Sequence, residues 1–316
     1  MENTTRRAFI KKTAIAASAL PLMNFPLSAW ASEESATELP VHIFSKTLQF
    51  LDYKPLGAMA AEMGFSGIDL TVRPNGHVLP ELVKIDLPRA IKDIQDAGSR
   101  CEMISTIIEH VNNPLDVDII ESAARLGIKY YRPNWYKYTG NQSMIDDLEM
   151  YKQQVKELSD LNKKFGIIGS YQNRDGKSVG SSFWEVKKIL ETANPDYFGS
   201  QYDIRHAIVE GGLSWENGFQ LLKPHIKVIV LKDFKWGKVQ GKWVPIHTPI
   251  GEGMVDFDKY FKLLKKHQLK PPVSLHVEYP LGGAEKGNRS LTIDKKIVYD
   301  ALKKDLNAVQ KLWREA

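Results

Sequence analysis

The chain has 316 residues, of which 43% are hydrophobic and 26% are charged, so it can build one large globular core. Cys101 is the only cysteine, which excludes a disulfide-rich scaffold, and we expect it to pack in the core. Residues 1–31 hold four of the 43 basic and one of the 38 acidic residues; without them the net charge falls from +5 to +2. This balance does not indicate a nucleic-acid partner, and beyond that first segment no apolar run reaches the roughly 18 residues of a membrane span.

The first predicted element is an export signal. Arg6 and Arg7 open a motif that matches the twin-arginine pattern, an apolar stretch follows, and an A-x-A cleavage pattern ends at Ala31. The alternative is a basic N-terminal arm. We expect residues 1–31 to be the signal, 32–40 a linker and 41–316 the folded barrel, and the protein to be periplasmic.

Short apolar strands then alternate with amphipathic helix patterns. The strand candidates start near Val41, Gly67, Cys101, Lys129, Gly166, Tyr197, Ile226 and Pro272. Eight such units without a composition break predict an α/β chain folded as a single-domain (β/α)8 TIM barrel. A doubly wound open sheet is the alternative, but it would carry a Gly-rich phosphate turn after the first strand, and Ser45–Phe50 is not one.

In such a barrel the chemistry lies at the carboxyl ends of the strands, so these ends are the candidate site. The first strand ends near Lys46, which either contacts a substrate or phosphate or is a solvated surface lysine. After the second come Arg73 and His77, which suit a carboxylate or a sugar hydroxyl, although Arg73 could instead pair with Asp69. The fourth ends at Arg132, Asn134 and Trp135, and an aromatic ring there either stacks on a sugar or packs.

The fifth and sixth strands end in groups that form hydrogen bonds. Gln172 follows the fifth strand. Strand alternation places Gln201, Asp203 and Arg205 on one face of the sixth, with His206 next to them. These side chains could hold a metal, a sugar hydroxyl or each other, and an Asp–Arg pair at the strand end is the simplest interpretation.

The last two strands end in charged side chains. Lys232 could stabilise an oxyanion or act as an acid, or it could form a surface pair with Asp233. The loop beyond, which carries His247, is expected to cover the barrel mouth. The final strand, Val273–Tyr279, places His276 and Glu278 on one face; burying both is costly without a partner, so a metal or a substrate is expected there.

Taken together, these segments resemble the xylose-isomerase-like barrel superfamily, which includes sugar-phosphate isomerases and epimerases and endonuclease IV type enzymes. The segments that carry the resemblance are Glu62–Leu70, Asp203–Ala207, Leu231–Phe234, Pro249–Phe257 and His276–Tyr279. The sequence does not favour the endonuclease branch, because the 8 histidines lack the matching placements and the exported chain is nearly neutral.

The resemblance implies one divalent metal ion, Mn, Mg, Zn or Co, held by groups from strands five to eight. In this sequence the matching ligand set is Gln172, Asp203, His276 and Glu278. The histidine that relatives carry in strand seven falls on Val230 here, so a metal-free site is the alternative.

The implied function is an isomerase or epimerase of a sugar or keto-sugar derivative, acting by removal of a proton next to a carbonyl. Glu278, Lys232 and Asp203 are the predicted catalytic residues, with Glu278 moving the proton. The predicted substrate-binding residues are Arg73, His77, Asn134, Trp135, Gln172, Arg205 and His206, and the partner is a small carbohydrate. The alternatives are a lyase or hydrolase of oxidised glycosides on the same residues, and a non-catalytic carbohydrate-binding barrel.

Overall fold

Eight parallel strands close into a barrel in the computed structural model, which describes residues 38–316. The predicted export signal and most of the predicted linker therefore lie outside the described residues. The barrel strands are β1 (Val41–Phe44), β2 (Gly67–Val72), β3 (Cys101–Thr106), β4 (Tyr130–Arg132), β5 (Ile168–Gln172), β6 (Phe198–Asp203), β7 (Ile226–Leu231) and β10 (Val273–Leu275). This confirms the TIM barrel prediction.

The barrel closes because β1 pairs with both β2 and β10. Val41 is in register with Val273 on one side, and His42 is in register with Gly67 on the other. Around the ring the strands follow the order β1-β10-β7-β6-β5-β4-β3-β2. Four strands begin one or two residues later than the sequence predicted, at Tyr130, Ile168, Phe198 and Val273.

Helices cover the outside of the barrel. They are α1 (Tyr53–Met63), α2 (Val83–Asp96), α3 (Pro114–Arg125), α4 (Met144–Phe165), α5 (Phe183–Leu190), α6 (Ile204–Gly211), α7 (Trp215–Leu222), α8 (Phe257–Lys266) and α9 (Lys295–Glu315). Every residue of β2 and β6 is buried, because the inner face of these strands lines the barrel and the outer face lies beneath the helices. The core is therefore the layer between strands and helices, and Cys101 is a buried free thiol, as expected.

The longest helix, α4, shows how the sequence sets its bounds. The Ser143 hydroxyl accepts a hydrogen bond from the backbone nitrogen of Asp146 and caps the start. Gly166 ends the helix with a φ of 73°, a left-handed conformation that glycine adopts without steric cost. Its apolar stripe is buried through Tyr151, Val155 and Leu158.

The sixth strand ends earlier than the sequence predicted. Asp203 is its last residue, and the Asp203 Oδ1 atom accepts a hydrogen bond of 3.0 Å from the backbone nitrogen of His206. The aspartate therefore caps α6, and the prediction that Arg205 shares a strand face with Gln201 and Asp203 is wrong. Strand β10 is also shorter than predicted, since it ends at Leu275.

A β-hairpin follows the seventh barrel strand where the sequence predicted a loop over the mouth. It consists of antiparallel strands β8 (Asp233–Val239) and β9 (Lys242–Thr248). The Asp233 carboxylate accepts hydrogen bonds from the backbone nitrogens of Gly251, Gly253 and Val255 at 3.0–3.1 Å, which fixes the chain that leaves the hairpin. A Cβ atom at Gly253 would lie 2.2 Å from Asp233 Oδ1, so this approach requires glycine.

In the part of the chain that the structure describes, every helix is too short or too polar to span a bilayer.

Candidate active site

A cavity of about 420 Å³ opens at the carboxyl ends of the barrel strands. It gathers eight of the predicted site residues, namely Arg73, Trp135, Gln172, Arg205, His206, Lys232, His276 and Glu278. Asp203 lies in contact with this set, because its Oδ2 atom accepts a 2.7 Å hydrogen bond from Gln172 Nε2. Residues far apart in sequence thus meet at the mouth, as expected for this fold.

Lys232 lies at the centre of the polar cluster, although its side chain is only 5% exposed. Its ammonium nitrogen lies 3.2 Å from Asp203 Oδ2, 3.3 Å from Glu278 Oε2 and 2.8 Å from His206 Nε2. The alternative of a surface pair with Asp233 is excluded by this geometry, since the Asp233 carboxylate faces backbone nitrogens instead. One buried cation thus bridges two carboxylates.

Glu278 receives two positive charges. Lys46 Nζ lies 2.8 Å from Glu278 Oε1, while Lys232 contacts the other carboxylate oxygen. Burial alone would raise the pKa of the Glu278 carboxyl, but Lys232 and Lys46 hold this pKa well below its usual range. His247, carried by the hairpin, lies 3.7 Å from Oε2, and burial lowers its pKa to about 4. Glu278 is therefore ionised and faces the cavity.

His206 links this cluster to a second acidic group. Its Nδ1 lies 2.7 Å from Asp175 Oδ1, and Arg205 pairs with the other oxygen of the same carboxylate. We assign the Nδ1 hydrogen toward Asp175, which leaves the Nε2 lone pair to accept a hydrogen bond from Lys232. Burial lowers the pKa of His206, and the Lys232 charge adds to this effect. The neutral imidazole fixes the position of the lysine ammonium.

His276 lines the cavity but is held by other partners. Its ring stacks on Phe44 with centroids 4.1 Å apart, and its Nε2 lies 3.1 Å from the Ser274 hydroxyl. Ser274 in turn donates a 2.6 Å hydrogen bond to Asp69 Oδ2. Burial lowers the pKa of His276 well below its usual value, so the ring is neutral.

Three arginines surround Trp135 and the neighbouring wall of the cavity. The guanidinium carbons of Arg132 and Arg174 each lie 4.0 Å from the Trp135 ring centroid. Trp135 therefore contacts two cationic side chains at the wall of the cavity. The third, Arg73, lies over the ring of Phe44 at 5.4 Å.

Two of the predicted substrate-binding residues lie outside this cavity. His77 contacts the Ser45 hydroxyl at 3.1 Å and the Thr71 hydroxyl at 3.3 Å, and it lines a separate surface cavity. Asn134 donates a 2.6 Å hydrogen bond to Glu109. The turn after β2 and the loop after β4 direct these side chains elsewhere.

The sequence did not single out Phe44 or Asp175, which both line the cavity. Phe44 is the last residue of a fully buried strand, so its position at a strand end was the available signal. Asp175 lies three residues beyond the end of β5, and only its contacts with Arg205 and His206 show that it belongs to the site.

The predicted metal ligands do not fit a divalent ion. The Lys232 ammonium lies between Asp203 Oδ2 and Glu278 Oε2, where a cation bridging these carboxylates would sit. Gln172 directs its amide nitrogen, which has no free lone pair, at the aspartate. Among residues 38–316, no group of three His, Cys, Asp or Glu side chains is arranged to hold a metal. The positive charge here is supplied by lysine.

Comparison with known proteins gives a consistent result for the fold. A family model described as xylose isomerase-like TIM barrel matches residues 58–292, more than half of the chain. None of the curated proteins matches the sequence.

Several solved structures share the architecture. D-allulose 3-epimerase from Methylomonas sp. superposes with a TM-score of 0.64 at 16% identity, over 87% of this chain and 98% of that one. A xylose isomerase-like TIM barrel protein from Mycobacterium smegmatis in complex with magnesium superposes with a TM-score of 0.62 at 11% identity, over 87% of this chain and 98% of that one. The 3-keto-D-glucoside 4-epimerase from E. coli superposes with a TM-score of 0.61 at 12% identity, over 84% of this chain and 98% of that one. At these identities the likeness shows the fold.

Proposed function

We propose that this protein is a sugar epimerase or isomerase, since the chain belongs to the xylose isomerase-like TIM barrel family. Its substrate is a keto-sugar or a related derivative, and the reaction begins with removal of a proton next to the carbonyl. The similarity to epimerases of D-allulose and of 3-keto-D-glucosides supports this substrate class. The roles of the residues are inferred from the contacts of this chain's own side chains.

The contact between Glu278 and Lys232 is the observation that carries the proposal. A carboxylate oxygen and an ammonium nitrogen lie 3.3 Å apart at the wall of the cavity. Proton removal next to a carbonyl requires a base near the carbon and a positive charge near the oxygen. Glu278 supplies the base, and Lys232 donates a hydrogen bond to the developing enediolate oxygen.

Lys46 and Lys232 also control the strength of the base. While both contact Glu278, they keep the pKa of its carboxyl low, which makes it a weak base. When Lys232 turns its hydrogen bond toward the substrate oxygen, Glu278 loses part of this stabilisation and its proton affinity rises. The base is therefore strengthened when a carbonyl oxygen is in place.

His206 and Asp203 are positioning residues in this scheme. His206 accepts a hydrogen bond from Lys232, and Asp203 lies 3.2 Å from the same ammonium. Together they hold the lysine ammonium at the mouth, and they do not contact the substrate themselves. Isomerisation is completed when Glu278 returns the proton to the former carbonyl carbon and the proton of the neighbouring hydroxyl moves to the former carbonyl oxygen. Epimerisation requires an acid on the opposite face, water or a second side chain, to protonate the carbon while Glu278 keeps the proton that it removed.

Proton exchange with solvent tests the proposal. The wild-type protein and Glu278→Gln are incubated in deuterated water with D-allulose, D-fructose, D-tagatose, a 3-keto-D-glucoside and the anionic keto-sugar D-fructose 6-phosphate, and deuterium next to the carbonyl is followed by NMR. We expect exchange only with the wild type. Exchange that is accompanied by loss of a leaving group would assign a lyase instead. Sugar binding without exchange across the panel would assign a non-catalytic carbohydrate-binding barrel.

We also propose that the protein acts in the periplasm after twin-arginine export, on the strength of the motif at Arg6 and Arg7. Cell fractionation of the wild type and of a chain with both arginines changed to lysine tests this. Equal amounts of both proteins in the cytosolic fraction would contradict it.

A further inference from the structure

We propose that Arg73, Arg132 and Arg174 form a binding site for an anionic group of the substrate, a carboxylate or a phosphate. The inference rests on the proposed function, because it names the substrate class that the same cavity takes. The substrate would be a sugar acid or a sugar phosphate rather than a neutral sugar.

The charge balance of the cavity is the first argument. Six basic side chains line it, against the two carboxylates of Asp175 and Glu278. Three of the basic groups, Lys46, Lys232 and Arg205, form ion pairs with carboxylates. The other three basic groups are Arg73, Arg132 and Arg174. Among the described residues 38–316, none of these arginines has a carboxylate within 4.0 Å.

The burial of Arg132 is the second argument. Its residue is 3% exposed, and its Nη1 atom has no hydrogen-bond partner among the described residues. Its remaining polar contact is weak, with Nε 3.4 Å from the Ser105 hydroxyl. Burial, together with the charges of Arg73 and Arg174, lowers the pKa of Arg132 from 12.5 to about 9. A buried guanidinium in this state gains free energy from any anion that reaches it.

A buried carboxylate that attracts Arg73 and Arg132 already has other partners. Asp69 is 1% exposed, and it accepts hydrogen bonds from Ser105 at 3.1 Å and from Ser274 at 2.6 Å. Burial raises the pKa of Asp69, in spite of the attraction from Arg132. Asp69 and Glu278 attract Arg73 from a distance, but neither carboxylate forms an ion pair within 4.0 Å with any of the three arginines. A bound anion could therefore contact these arginines directly.

The arginines are also preorganised. The guanidinium groups of Arg132 and Arg174 each lie 4.0 Å from the Trp135 ring centroid, and this contact restricts their movement. A planar guanidinium presents parallel N–H donors that match two oxygens of a carboxylate or a phosphate. An exposed solvated arginine would have neither constraint.

The strand order places Arg73 and Arg132 across the mouth from Lys232. Lys232 follows β7, which is opposite β3 in the ring, while Arg73 and Arg132 come from β2 and β4 on either side of β3. A substrate can therefore place its carbonyl at Lys232 and Glu278 and its anionic group at the arginines. Its charged end selects the orientation in which it binds.

Calorimetric titration of the full-length folded protein tests the inference. The probes are D-glucuronate, D-glucose 6-phosphate and neutral D-glucose, titrated into wild type, Arg73→Gln, Arg174→Gln and the control Arg125→Gln. Arg125 is 75% exposed and pairs with Glu121 on the outer surface of α3. We expect an anionic probe to bind wild type and the control about tenfold or more tightly than glucose, and both cavity variants to lose that preference.

The two anions identify the source of the charge, since tighter glucuronate binding assigns a carboxylate and tighter sugar phosphate binding assigns a phosphate. Equal binding of glucose and both anions, or no binding of either anion, would overturn the inference. So would cavity variants that bind the anions as tightly as wild type. Because binding needs no turnover, anion binding without deuterium exchange removes only the proposed function. Exchange on keto-sugars by the wild type, together with Arg73→Gln and Arg174→Gln variants that bind both anions as tightly as wild type, removes only the anion site.

Discussion

The ammonium nitrogen of Lys232 lies 3.2 Å from Oδ2 of Asp203, whose side chain is 0% exposed. Glu278 and His206 complete the surroundings of the ammonium at 3.3 and 2.8 Å. In this barrel a lysine side chain therefore supplies the positive charge between two carboxylates. This positive charge belongs to the folded chain itself.

Removal of this charge is expected to destabilise the fold. Lys232→Met leaves Asp203 buried and unpaired, which costs about 3–5 kcal/mol in the free energy of unfolding. Urea denaturation measures this loss, and the double variant Lys232→Met, Asp203→Asn should recover part of it. Lys259→Met is the control, because Lys259 pairs with Glu216 at the exposed surface. A loss below about 1 kcal/mol in Lys232→Met would contradict the buried pair.

Glu278→Gln is expected to reduce the rate of deuterium exchange by about 10²–10⁴-fold, the usual contribution of a general base. The amide keeps the shape of the side chain but cannot accept a proton from carbon. Glu252→Gln is the matched control, since Glu252 forms an exposed pair with Lys304. Similar exchange rates for Glu278→Gln and wild type, with substrate binding preserved, would rule out Glu278 as the base.

We expect Mn²⁺ and Zn²⁺ to bind the wild-type site weakly, and treatment with EDTA to leave deuterium exchange unchanged. The Lys232 ammonium competes with a divalent cation for Asp203 and Glu278. In Lys232→Ala the two carboxylates become available, so the affinity for Mn²⁺ measured by calorimetry should rise about tenfold or more. Stoichiometric metal in purified wild-type protein, removed by EDTA together with activity, would contradict this expectation.

Asp305 makes the stability depend on pH. Burial raises its pKa from 3.8 to about 7, and it is 1% exposed, with a hydrogen bond from the Ile250 nitrogen. The folded state therefore holds a proton that the unfolded chain loses near pH 4. This contribution is fully present below pH 3.8 and is lost as the pH rises through 7, up to about 4 kcal/mol.

Asp305→Asn removes this titration. The difference in free energy of unfolding between wild type and Asp305→Asn should change by up to about 4 kcal/mol between pH 4 and 8. The wild type is relatively more stable at the acidic end. Asp300→Asn on the same helix is the control, because Asp300 pairs with Lys296 in an exposed position. Parallel pH profiles for wild type and Asp305→Asn would show that Asp305 is ionised in the fold.

The fold was predictable because the barrel repeats one simple pattern. Strands buried on both faces are continuously apolar, and the helices between them bury one stripe, so alternation alone gave eight units. The ends of elements were less certain. Asp203 fits the end of a strand and the cap of a helix equally well in sequence, and only its bond to the His206 nitrogen decides between them.

The site was predictable to the extent that strand ends determine it. Position at a strand end correctly brought Lys232, Glu278 and Arg205 to one cavity. It could not show that the turn after β2 directs His77 toward Ser45, or that Asn134 reaches Glu109. The partners of Lys232 also come from distant segments, so its role as the central cation depends on contacts that the local sequence does not contain.

The seam between β1 and β10 joins the start of the barrel to its end. Lys46 follows the first strand and Glu278 follows the last, so their ion pair forms only after the ribosome has made nearly the whole chain. A nascent or truncated chain that stops before residue 273 has the three arginines but neither Glu278 nor the strand that closes the ring. The closed barrel and the Lys46–Glu278 ion pair therefore both depend on the last part of the chain to be synthesised.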